Sequence, residues 1–458
     1  MKDKRLWFFL LILPKILVLR RKNVDITATY ILQEDVMNNQ LSFIKGISII
    51  CLPIFLSFFN CSSEVDVQTV EMEPQLTDVL ALGNVIEDPL TLTFKFGEEN
   101  LPDEYLLAHP ERVIASDISG NIYLFDEYRV KVYDQDGKPK AIFGDWGEGP
   151  GYFLNFGSEE FMFVSEKGFL IIGDYQTANV FYPDHTFLKR YRFQANMDPW
   201  QSFFSENGYK SETEHYVYVI DENRRIFRLI AIKNDDEFRE NPKDLIIYQD
   251  GDKNTLIAEY DYVAGSGMDE FGQLFFSVLP GERLIYTHGR FDTRVEDDKG
   301  IYTLHIVDLN TGDKSEISLP FTPRMFNDSL FRIFESRTAD PRLREDARYR
   351  SSLKALNEKQ LRQAKEFKYY PPLIFLMNDG DYVFLWHYPT GEPRFTVDVI
   401  NTKEKQHTGT MILTEETIDS MNPKAWVFVN GKAYFLIVPM DEFAYVQVCS
   451  IDPAVYGK

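Results

Sequence analysis

The feature that most constrains this chain is a repeat. Gly120-Asn-Ile-Tyr-Leu-Phe-Asp126 returns as Gly168-Phe-Leu-Ile-Ile-Gly-Asp174, and Val130-Lys-Val-Tyr-Asp-Gln-Asp-Gly137 as Ala178-Asn-Val-Phe-Tyr-Pro-Asp-His185, each at an offset of 48 residues. Each copy reads as a turn, an apolar strand, a short gap and a second strand. A unit that small cannot bury its own apolar face, so it must stack against copies of itself. Recurrence at ~40–50 residues with several short strands per unit is the pattern of a propeller blade. Weaker copies follow: Gly272-Gln-Leu-Phe-Phe-Ser-Val with Leu304-His-Ile-Val-Asp308, Gly380-Asp-Tyr-Val-Phe-Leu-Trp386 with Val397-Asp-Val-Ile-Asn401, and Gly431-Lys-Ala-Tyr-Phe-Leu-Ile-Val with Tyr445-Val-Gln-Val-Cys449. The stretches 215–220 and 226–232 are strand-like without the glycine, which makes six units.

Length agrees with that count. One segment between Glu111 and Lys458, about 324–370, is charged and helix-favouring; its Leu353, Leu356, Leu361, Ala364 and Phe367 share one helical face, and Pro371-Pro372 stops it. Setting it aside leaves roughly 50 residues per blade for six blades, or about 43 for seven. The expected fold is therefore all-β, a six-bladed β-propeller with a short helical insertion. Aromatic residues at 15% fit strand-rich structure. A net charge of −22 disfavours a phosphate backbone as partner, so no nucleic-acid role is expected.

Residues 1–60 read as a targeting segment. Two apolar stretches, Trp7 to Leu19 and Ile47 to Phe59, are too short for the ~20 residues that span a bilayer, and the second has the size of a signal-peptide core. Met37 stands ten residues before it, so residues 1–36 are expected to be an over-extended start, with a signal anchor as the alternative. Cys61 directly follows that core and resembles the acylated cysteine of bacterial lipoproteins, although Phe58-Phe59-Asn60 departs from the usual small-residue pattern. Two acyl chains hold a soluble domain on a membrane stably. Residues 61–110 are then a tether and lead-in, and 111–458 the propeller. With Cys51 lost and Cys61 acylated, Cys449 is alone and no internal disulfide forms.

The stretch from Gly120 to Phe153 is the most specific in the chain. It runs through Val132-Tyr133-Asp134, the turn Asp136-Gly137-Lys138, Ile142-Phe-Gly144, and Gly147-Glu-Gly149-Pro150-Gly151-Tyr-Phe153. This resembles the six-bladed β-propeller lipoproteins of Gram-negative gut and environmental bacteria, relatives of NHL-repeat propellers. The resemblance implies a fold and a place, the cell envelope on the periplasmic or surface side of the outer membrane. It implies little about activity, because that family is mostly of unassigned function. Gly147, Gly149, Pro150 and Gly151 are expected to make the tight turn where one blade hands over to the next. Asp126 and Asp174 are expected to cap turn amides.

No catalytic residue is singled out. The seven histidines show no HxH, HExxH or i,i+4 spacing, so no local metal site is expected. Gly265-Ser266-Gly267 lacks the full nucleophile-elbow pattern and reads as a loop. The expectation is a non-enzymatic binding or scaffold protein without cofactor, attached to the membrane by its lipid and taking a peptide, glycan or partner protein. Trp146, Trp386, His387 and Tyr388, at strand ends or loops, are the candidate contacts, with blade core as the alternative for each. The competing expectation is a calcium-dependent hydrolase or lyase of the lactonase kind. Its Ca²⁺ would be held by oxygen ligands from separate blades, Glu148, Asp174 and Asn378 among the candidates.

Overall fold

A computed structural model describes residues 79–98, 101–153, 161–173, 177–192, 201–233, 242–263, 272–326, 358–359, 361–363, 365–387, 394–414, 423–439 and 442–458. Their strands form six separate sheets. Blade I contains β3 (Pro110–Ser116), β4 (Ile122–Asp126), β5 (Arg129–Tyr133) and β6 (Pro139–Phe143). Blade II contains β7 (Phe161–Val164), β8 (Leu170–Gly173), β9 (Thr177–Phe181) and β10 (Phe187–Arg192). A short helix, α1 (Gln201–Asn207), precedes blade III, with β11 (Tyr209–Val219), β12 (Arg224–Lys233), β13 (Lys243–Asp250) and β14 (Lys253–Asp261). Blade IV contains β15 (Leu274–Leu279), β16 (Arg283–His288), β17 (Thr293–Glu296), β18 (Lys299–Asp308) and β19 (Lys314–Phe321). Blade V contains β20 (Leu373–Asp379), β21 (Tyr382–His387), β22 (Arg394–Asn401) and β23 (Gln406–Thr414). Blade VI contains β24 (Pro423–Val429), β25 (Lys432–Ile437) and β26 (Tyr445–Ile451).

The second strand of each blade shows why the sequence closes into a ring. All five residues of β4 are buried, and they alternate between two cores. Ile122 and Leu124 pack toward blade VI, whereas Tyr123 and Phe125 pack toward blade II. In β21, Val383 and Leu385 face blade IV while Phe384 and Trp386 face blade VI. A strand covered on both faces needs apolar residues at every position, and this removes the period-2 pattern. The remaining two seams, II–III and III–IV, have cores of their own, so each blade is buried against both neighbours. Each fully buried apolar side chain of this size contributes about 1.5–3 kcal/mol. The offset of 48 is structural: β8 and β9 repeat β4 and β5 strand for strand.

Two expectations are corrected. The ring does not begin at residue 111. β2 (Leu90–Phe96) pairs antiparallel with β26 and supplies the outer strand of blade VI, and β1 (Asn84–Glu87) adds in parallel to β23 of blade V. Val79 also bridges Ser318 of blade IV, so the lead-in is a belt along the outer edges of three blades. Its sequence is polar because a strand at the rim buries one face at most. Gly272 opens the innermost strand of blade IV, not the second; the equivalent turn is Pro280-Gly281-Glu282. A turn glycine before an apolar run looks the same in both places.

The described residues of the insertion between blades IV and V, 358–359, 361–363 and 365–367, are helical. Its base is zipped: Phe326 N–H donates to Lys368 O at 2.8 Å, and Tyr370 N–H to Arg324 O at 2.8 Å. The signal segment, Cys61, Asp174, Ser266 and Tyr388 lie outside the described residues.

Candidate functional site

Alternating strand direction gives the ring two ends. At the turn end, the first strand of each blade hands over to the second, and the third to the fourth. At the loop end, the second meets the third, and each blade meets the next. The two ends are built differently.

The turn end is wired by charge. Arg224, in the first turn of blade III, donates to Asp221 at 2.6 Å and to Glu282 of blade IV at 2.7 Å. Lys167 of blade II lies 2.9 Å from both acids. Asp379 of blade V accepts Asn430 N–H at 2.8 Å, Gly431 N–H at 2.9 Å and the Tyr456 hydroxyl at 2.9 Å. Arg283 pairs with Asp381. Bonds from Arg224 and Lys167 hold Glu282 below the usual carboxylate range; at Asp221 the same cations outweigh burial and do so too. A cleft of about 330 Å³, lined by Phe169, Glu222, Asn223 and Asp250 besides Asp221 and Arg224, opens beside this group.

The loop end carries aromatic rings and buried carboxylates. Tyr128, Trp146, Tyr152, Phe291, Phe375 and Phe443 are exposed, and all lie in loop-end connections or the adjoining first strand. Among the described residues, the other exposed large hydrophobics are Met325 at the base of the insertion, Ile118 in a turn, and Leu82, Val85 and Leu92 on the belt. In blade I, Asp126 accepts the amides of His109 at 2.6 Å and Ala108 at 3.2 Å, the capping role read from sequence. It also pairs with buried Lys131 at 2.6 Å, whose ammonium donates onward to Leu106 O.

The densest group joins blades III and IV. Asp292 accepts from the Tyr260 hydroxyl at 2.9 Å, from His288 N–H at 2.6 Å and from His305 Nε2 at 3.0 Å. The other nitrogen of His305 meets Glu316 at 3.1 Å, so both ring nitrogens face carboxylates. Burial opposes the charged ring, but the two acids outweigh it and push His305 up. His288 is the converse: its Nδ1 accepts the amides of Arg290 and Phe291, and burial, with Arg228 and Arg290 nearby, pushes it down to about 3. The Tyr260 and Phe291 rings stack at 6.2 Å above this group. Arg290 lies over Phe367 of the insertion at 4.5 Å and donates to Tyr369 O at 2.6 Å.

A second hub lies inside blade V. Asp398 takes His387 Nε2 at 2.7 Å, His407 Nε2 at 3.1 Å and the Thr410 hydroxyl at 2.6 Å. Burial raises that carboxyl, yet His387 and the other donors outweigh it and hold it well below the ordinary range. His407 Nδ1 accepts Gly83 N–H at 2.7 Å and ties the belt to the blade.

The candidate contacts fall in different places. Trp146 is 64% exposed in the connection from blade I to blade II. Trp386 is 3% exposed and packs against Trp426 and Phe428, which leaves no open ring face. His387 belongs to the Asp398 hub. The glycine run folds back so that Gly147 N–H bonds Phe153 O and Phe153 N–H bonds Asp145 O, and Arg190 of blade II clasps Gly149 O at 3.2 Å. Gly151 has φ +76°, and a Cβ there would press on Phe187 and Phe181. Glu148 lies in that loop-end run, whereas Asn378 sits beside a turn and accepts the Ser277 hydroxyl, so the fold does not bring them together. Among the described residues, no three His, Cys, Asp or Glu side chains are grouped to hold a metal. Sequence spacing missed Asp292 and Asp398 because their partners come from different strands and blades.

No protein-family model and no curated protein matches the chain. Solved structures resemble it over much of its length. A protein of Bacteroides fragilis, described as a candidate exported protein, is 10% identical, with 81% of this chain and 99% of that chain covered at a TM-score of 0.46. A DUF4221 member of Bacteroides vulgatus is 12% identical over 79% and 98%, at 0.39. The calcium-binding protein regucalcin of Agrobacterium tumefaciens is 10% identical over 80% and 97%, at 0.34. Its own six sheets, with a core at each of six seams, make this chain a six-bladed β-propeller.

Proposed function

We propose that the protein is a lipid-anchored propeller of the bacterial envelope that binds a peptide, glycan or partner protein at its loop end, without catalysing a reaction. One observation carries the reading: the exposed aromatic rings stand at that end, in loop connections and the adjoining first strand. Exposed Tyr and Trp on loops held by a rigid scaffold are the usual material of binding faces. Cys61 after a signal-like core supports the anchor, and the acidic body suits a domain held off an anionic membrane by a tether. Among the described residues no helix is long and apolar enough to cross a membrane.

The test is a screen of immobilised envelope glycans and peptides with the mature protein and with a Trp146→Ala, Phe291→Ala variant. Binding that the variant loses while keeping its melting temperature supports the reading. Equal binding by both proteins moves the site elsewhere. Tight calorimetric binding of Ca²⁺ together with turnover of a lactone would replace it with the calcium-dependent hydrolase or lyase. Labelling cells with a palmitate analogue, in wild type and Cys61→Ala, tests the anchor separately.

A further inference from the structure

Where β10 of blade II meets β12 of blade III two cations come together, and among the described residues neither meets a carboxylate. Lys189 and Tyr191 alternate with Arg190 along β10, so they point toward blade III while Arg190 clasps the glycine run on the other side. Tyr191 packs in the II–III core, with Phe227 at 6.2 Å. The Lys189 ammonium lies 4.7 Å from the Tyr191 ring centre and the Arg225 guanidinium 5.7 Å from it; Arg225 also donates to the Tyr191 hydroxyl.

Among the described residues no carboxylate pairs with Lys189 or Arg225. By contrast Lys131, Arg224, Arg228 and Arg283 each hold an acid. Arg225 Nε is enclosed without a partner, and so is Oε1 of Gln249, its neighbour across β12 and β13. One water bridging that donor and acceptor would satisfy both bonds but leave both charges. Contact with the Tyr191 ring offsets only part of the repulsion. Burial and then Arg225 push Lys189 down to about 8, as expected of an ammonium held near a like charge. A tetrahedral oxyanion meets all of these demands, because it accepts from a guanidinium fork and an ammonium at once.

We propose that Lys189 and Arg225 form a binding site for a phosphate group where β10 meets β12 at the II–III seam. This site is separate from the loop-end face and does not depend on it. The acidic body disfavours approach to an anionic bilayer, so a small phosphorylated molecule is the expected source rather than a lipid headgroup.

The test titrates the mature protein with inorganic phosphate against chloride at matched ionic strength, by calorimetry and by the NMR signal of the Lys189 ammonium. The expected result is saturable one-to-one binding that raises the Lys189 pKa. Affinity should fall at least tenfold in Lys189→Met and in Arg225→Met, and persist in Lys189→Arg. Should Arg225→Met fail to fold, the two Lys189 variants decide. A parallel arm uses phosphatidylglycerol and phosphatidylcholine vesicles. Association with the anionic vesicles alone, lost in Lys189→Met, would keep the site and assign its phosphate to lipid. No saturable binding in either arm, or unchanged affinity in Lys189→Met, overturns the proposal.

Discussion

The two ends of this ring reach stability by different means. The turn end uses partly buried ion pairs between neighbouring blades, Arg224 with Glu282 and Lys167 with Asp221. Such contacts fix geometry, yet each is screened by water and salt. The loop end has half-exposed pairs too, Arg129 with Asp145 and Lys233 with Glu259, but adds nearly buried hubs: Asp292 takes three donors beside the Tyr260 and Phe291 rings. A hub of that kind holds long connections in place while leaving aromatic surface outside.

The largest expected effect is at the loop end. Asp292→Ala strands Tyr260, His305 and the His288 amide, and breaking a buried charged network costs ~3–5 kcal/mol. Denaturant unfolding measures it, and a loss below about 1 kcal/mol would erase the contrast. Acid should then separate the two ends. His288 is neutral when folded and has a depressed pKa, so stability falls as pH drops from the unfolded value of ~6.5 toward 3, by at most about 1.4 kcal/mol per pH unit. The depressed carboxyls Asp221 and Glu282 hold the turn end until pH falls below their unfolded values of ~4. His305 runs the other way: with its pKa raised, its contribution is complete below the unfolded value and is lost as pH rises through the folded one. Hydrogen exchange at pH 5 should show 288–292 opening before 221–224, and the reverse order would contradict this account.

A smaller effect is expected at the turn end. Arg224→Met should cost ~1–2 kcal/mol, because its two acids stay in partial contact with water and with Lys167. That loss should shrink in 1 M salt, whereas the Asp292→Ala loss should not. Trp146→Ala is the smallest. A side chain 64% exposed should change stability by less than ~0.5 kcal/mol, so any larger change would give Trp146 a structural task.

Blade I was the most legible part of the chain because its residues meet several requirements at once. Gly120, Asp126 and the run to Phe153 combine turn chemistry, full burial and a fixed offset, and β4 shows the reason in its two-sided packing. Blade III was the least legible: its strands run to eleven residues, and no glycine opens its second strand, β12. The histidines were harder still. His387 and His407 are unremarkable in the sequence, and they meet only because β21 and β23 flank β22, which carries Asp398.

The sequence by itself determined the blades, since apolar runs of five or six residues between turns can be buried only by stacking on their own kind. It also determined the charge of the body and the place of its one candidate acylation site. Tertiary structure decided the rest: that the lead-in belongs to the ring, which blades the ion pairs join, and which carboxylates gather histidines. Those choices depend on which strand lies beside which across a sheet or a seam. Linear spacing does not encode that distance, because closing the circle brings residues hundreds apart, such as Leu90 and Ile451, side by side.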